Sequence, residues 1–103
     1  GAAGTSMTTK SEPGTFDAYS KAETDEPFFT LLARDPVAPP LIEAWAYLRS
    51  GQLQAAEIAF RQAVDAATHI EPQPPGDSQI VSAFRCAEET RAWRRNKLLS
   101  GKK

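Results

Sequence analysis

Side chains able to do covalent or acid–base chemistry are scarce in this chain. His69 is the sole histidine and Cys86 the sole cysteine. A histidine acting as general base needs an orienting carboxylate and a proton to take within about 2.6–3.2 Å. The stretch HIEPQPPGD around His69 reads as a proline-rich connector, a poor platform for that geometry. Cys86 stands among Ala83, Phe84 and Ala87, the setting of a small buried thiol rather than of a nucleophile. A single cysteine also rules out an internal disulfide and a multi-cysteine zinc site. Glu26 with Asp35, or Asp17 with Glu23, could be paired as carboxylates, but at this density they read as ordinary surface acids. No glycine-rich phosphate loop, HExxH or GxSxG is present. The expectation is a protein that is not an enzyme and that uses no metal and no cofactor.

Binding chemistry is better represented. TRAWRRNK, residues 90–97, sets Trp93 among Arg91, Arg94, Arg95 and Lys97. Arginine and lysine contact phosphate and an exposed tryptophan stacks on a base, so this segment is a candidate nucleic-acid surface. From Arg85 onward seven basic residues face only Glu88 and Glu89, a local charge of +5; with −1 overall, residues 1–84 carry −6. That acidic body repels a phosphate backbone, and basic residues at a helix end also complement the helix dipole. Recognition of a protein partner therefore ranks first and nucleic acid second. Interface centres favour Trp, Tyr, Phe and Arg. Tyr47, Ile58 and Trp93, which do not share one inward stripe, are the expected partner-binding anchors.

These residues have to be carried by helices. Leu41, Ala44, Trp45 and Leu48 recur at i, i+3, i+4, i+7 and predict a helix over about 40–49, with Pro40 as its first residue. Ser50 and Gly51 end it, glycine supplying the positive φ that a helix C-terminus often needs. Leu53, Ala56, Phe60, Ala63, Val64 and Ala67 predict a second helical face over about 52–68. The two-residue link makes the two helices antiparallel, with those apolar faces meeting. After the connector, Asp77 or Ser78 caps a last helix from about residue 79. Its expected inward face is Ile80, Ala83, Phe84, Ala87 and Thr90, with Trp93 either packed beside them or exposed as an anchor. Glu57 with Arg61, Arg85 with Glu89 and Glu88 with Arg91 are spaced to pair on outer faces. DEPFFTLLARDP, residues 25–36, predicts a short helix to about residue 33, a strand being the alternative, and acts as a plug for the core.

Met7 reads as the natural start, with GAAGTS before it resembling a tag remnant. Residues 7–26 carry only Phe16 and Tyr19 as large apolar groups, too little burial to offset an ordering cost of roughly 1–2 kcal/mol per residue. The expected organisation is a tag remnant and flexible arm over 1–24, a helical domain over 25–98 and a flexible basic tail over 99–103. The fold class is all-α, a small bundle of three to four helices with a disordered N-terminal arm. A core of that size buries only about 60% of the unfolded chain's surface, so a protein partner or a homodimer would stabilise it. No apolar run is long enough to span a membrane and no signal peptide follows Met7, which suggests a cytoplasmic protein without membrane contact.

Two resemblances follow from these stretches. Tyr47, Gly51, Leu53, Ala56, Phe60 and Ala63 resemble the second half of a tetratricopeptide repeat over roughly residues 46–64. Pro40, Glu43 and Ala44 stand where that repeat has tryptophan, leucine and glycine, and Thr68 where it has proline. No second copy follows, so the resemblance implies a helical hairpin without the repeat's peptide groove. The longer stretch EPFFTLLARDPVAPPLIEAWAYL resembles a family of small bacterial, phage-like proteins, with Glu26, Pro27, Phe28, Ala33, Asp35, Ala38, Pro39, Trp45 and Ala46 as matching positions. That family implies no established activity.

Overall fold

The computed structural model describes Ser11 and residues 21–99. The expected tag remnant, the arm as far as residue 20 (Ser11 apart) and the tail after residue 99 lie outside the described residues. The described residues form an all-α protein with three long helices and no strand: α1 (Ala38–Arg49), α2 (Leu53–Ala67) and α3 (Ser78–Leu99). The described residues divide into two compact units, one over residues 30–80 and one formed by residues 21–29 with 81–99.

In the first unit, α1 and α2 pack as an antiparallel hairpin. Asp35 launches α1: its carboxylate accepts the Val37 N–H at 3.0 Å and its carbonyl accepts the Ala38 N–H at 2.9 Å. This Asx turn lets the helix begin at Ala38, two residues before Pro40, because the first-turn N–H groups that proline lacks have no partner within a helix anyway. The other end closes through a Schellman arrangement. Gln52 N–H donates to the Tyr47 carbonyl at 2.9 Å and Gly51 N–H to the Leu48 carbonyl at 3.3 Å, with Gly51 at φ +79°. Ser50 Oγ donates to the Ala46 carbonyl at 2.9 Å, tying down a further helix-end acceptor.

The hairpin closes on alanine. Ala38, Ala44, Ala56, Ala59 and Ala63 are buried, and among the described residues no larger side chain is fully buried. This corrects the expected core. Leu53, Phe60 and Val64 of α2 and Trp45 and Leu48 of α1, read from the sequence as inward, are 62%, 43%, 64%, 64% and 45% exposed. The buried stripe of α2 is Ala56, Ala59 and Ala63, rotated toward the edge of the apolar face. Methyl side chains let two helix backbones approach to the low end of the usual spacing of about 8–10 Å, and bulkier neighbours are then left outside the contact.

The second unit is built on α3 from Val81 onward, the helix's first turn belonging to the first unit. Asp77, as N-cap, accepts the Gln79 N–H on its carboxylate at 2.8 Å. The segment 23–29 lies along the helix without regular structure of its own. Residues 27–34 are thus neither the helix nor the strand expected of them. Instead, Glu26 folds back on Glu23, whose carbonyl accepts the Glu26 N–H at 3.0 Å and whose N–H donates to the Glu26 carboxylate at 3.0 Å. Among the described residues of α3 whose burial is given, none is fully buried. Phe84, expected inward, is 72% exposed, Ala87 is exposed, and Cys86 is half-buried rather than buried. Ile80, Ala83, Thr90 and Trp93 are half-buried, as their spacing predicts. Glu88 and Arg91 pair at 2.8 Å. Glu57 with Arg61 and Arg85 with Glu89 form no ion pair.

Candidate interaction surface

The displaced apolar residues are not scattered over the hairpin. At about 100° per residue, Leu48 and Trp45 lie roughly 40° and 100° round α1 from the buried Ala44. Phe60, Leu53 and Val64 lie roughly 40°, 60° and 80° round α2 from the buried Ala56, in the same rotational sense. Two antiparallel helices whose seams face each other carry such stripes to one side. Trp45, Leu48, Leu53, Phe60 and Val64 therefore share a face of the hairpin, while Glu43 and Gln62 lie on the opposite one. Single exposed leucines are ordinary, whereas here five large apolar side chains stand exposed on one face.

The anchors expected from sequence are distributed differently. Ile58 is 62% exposed, on the back of α2 away from the apolar face. Tyr47 is half-buried, and its carbonyl accepts hydrogen bonds from Gln52 N–H and Ser50 Oγ. Trp93 belongs to the other unit and is also half-buried. The five residues of the face were missed because the same apolar period signals a core stripe and a docking stripe. The available signal was the i, i+3, i+7 row Ala56, Ala59, Ala63, a seam able to close without them.

The basic end of α3 is held within its own unit. Lys97 Nζ lies 2.8 Å from the Glu23 carboxylate and 5.1 Å from the centre of the Trp93 ring. The hydrogen bond to Glu23 raises the Lys97 pKa above the ordinary lysine value; desolvation opposes this, and the charges of Glu23, Asp25 and Glu26 add to the rise. Trp93 Nε1 donates to the Asp25 carboxylate at 3.3 Å. Arg91 is committed to Glu88, leaving Arg94 and Arg95 exposed on the helix. Of the four basic candidates for nucleic acid, two are neutralised by carboxylates. The indole meant for stacking carries a lysine over its ring and an acid on its N–H.

Two open depressions border the same helix. One, of about 430 Å³, is lined by Asp25, Glu26, Glu89, Trp93 and Asn96 among others. The second, of about 470 Å³ and mostly apolar, lies between Phe29, Ala83, Cys86, Ala87, Thr90 and Arg91. Cys86 Sγ contacts the Phe28 carbonyl at 3.6 Å, and Thr90 Oγ1 donates to the Cys86 carbonyl at 2.8 Å. His69 is exposed beyond the end of α2. Among the described residues, no cluster of three or more His, Cys, Asp or Glu is placed to hold a metal ion, and no helix is long and apolar enough to cross a membrane. Comparison with known proteins finds no matching family model, no matching curated protein and no matching solved structure.

Proposed function

We propose that this chain is a small, non-enzymatic protein–protein interaction module acting in the cytoplasm. One observation carries the reading: the hairpin buries only alanines and presents Trp45, Leu48, Leu53, Phe60 and Val64 together on one exposed face. Apolar area returned from exposure to burial contributes about 25 cal/mol per Å², and tryptophan and phenylalanine contribute most because they are largest. Ile58 is a further exposed contact on the other side of α2, with Tyr47 and Trp93 as half-buried ones. An origin in a phage or mobile element rests on the pattern shared by Glu26, Pro27, Asp35, Pro39 and Trp45 with that family of small proteins.

The test is site-directed photocrosslinking in the cells that make the protein. A photoreactive side chain at Trp45 or Val64 is expected to give discrete polypeptide adducts, whereas one at the exposed Gln62 gives none. Adducts confined to nucleic acid, or no adduct from the apolar face, would overturn the reading.

A further inference from the structure

We infer that the occupant of the hairpin's apolar face is a second copy of the same hairpin, the two stacking into a symmetric four-helix bundle. This rests on the interaction-module reading and names the partner for that surface. The first argument is area. The exposed parts of Trp45, Leu48, Leu53, Phe60 and Val64 amount to roughly 600 Å² per copy, most of the ~800 Å² per partner that a standard stable interface buries. The second is shape. A face two antiparallel helices wide is matched by another of the same kind, and two such faces packed near +20° bury all four stripes at once.

Charge is the third argument. Beyond the apolar stripes the outer flanks carry Arg49 on α1 and Glu57 and Arg61 on α2, all exposed. Mixed signs let two copies meet around a two-fold axis without a block of like charge, and they do not select a strongly acidic or basic stranger. Finally, Cys86 and Trp93 of α3 are engaged within their own unit. Cys86 meets the Phe28 carbonyl and Trp93 is bonded to Asp25, with Lys97 over its ring.

The experiment is sedimentation equilibrium of the full 103-residue chain over a wide concentration range, with hydroxyl-radical footprinting of Trp45 and Phe60 on the same samples. Expected is a reversible dimer of the 11.2 kDa chain, with both side chains becoming protected as the dimer fills. Trp45→Glu with Val64→Lys should weaken association on the order of 100-fold or more, while Gln62→Lys on the opposite face leaves it unchanged. The wild-type footprint decides the matter even if the double variant fails to fold. A chain that stays monomeric at every concentration overturns the self-association. If Trp45 and Phe60 are then freely labelled, the face remains open to a different protein and only the choice of partner fails. If they are protected in the monomer, the chain covers its own face and the interaction reading fails with it.

Discussion

Replacing Ala56 with leucine tests the alanine seam directly. Ala56 is 1% exposed and Ala59, one turn along, is 2% exposed, so the added isopropyl group has no space unless α1 and α2 separate. Inserting such bulk into a closed contact costs typically about 1–3 kcal/mol, because the helices move apart and the flanking alanines lose their contacts. Helix propensity does not confound the result, since alanine and leucine are both strong helix formers. The matched control is Ala46→Leu on the exposed side of α1, expected within about 0.5 kcal/mol of the parent. Thermal unfolding followed by circular dichroism is the assay. For a domain of this size the seam variant should melt about 5–20 °C lower and the control within a few degrees. If Ala56→Leu is tolerated as well as Ala46→Leu, or raises the melting temperature, the helices do not close on alanine and the outward placement of Phe60 loses its physical cause.

Gly51→Ala should destabilise the hairpin by about 1 kcal/mol in urea unfolding. A Cβ at Gly51 meets nothing within 4 Å, so the cost comes from the +79° φ alone, and an unchanged midpoint would mean that this turn geometry is absent. Lys97 gives a prediction in pH. Its folded pKa lies above the ordinary value of 10.5, so its contribution is fully present below that value and is lost as pH rises through the elevated one. The difference in melting temperature between the parent and Lys97→Met should accordingly be flat from neutral pH to about 10 and narrow above it. A gap that persists undiminished to pH 12, or that closes on the acid side alone, would refute the Glu23–Lys97 contact as its source.

The helices were legible because their signals are local. The i, i+3, i+4, i+7 rows, Gly51 and the acid at position 77 each act within a few residues; α1 and α2 begin and end, and α3 begins, within about two residues of where those signals put them. The segment 25–36 was not legible. Phe28, Phe29, Leu31 and Leu32 are compatible with helix or strand, and Glu23 and Lys97, 74 positions apart, determine where the chain before it lies. The surface was half legible. The residues of the apolar face were visible as a stripe and were assigned to the core.

The sequence by itself determined an all-α chain, an antiparallel hairpin turning at Ser50 and Gly51, and a charged last helix, because backbone hydrogen bonding and φ preferences are settled by neighbours along the chain. Only the tertiary structure decided which edge of each amphipathic stripe closes. Periodicity says that a face avoids water without saying what it meets. Two rows of methyl groups permit a closer helix contact than tryptophan, phenylalanine and leucine would allow, so the alanines of this hairpin are buried and its largest apolar side chains stand outside.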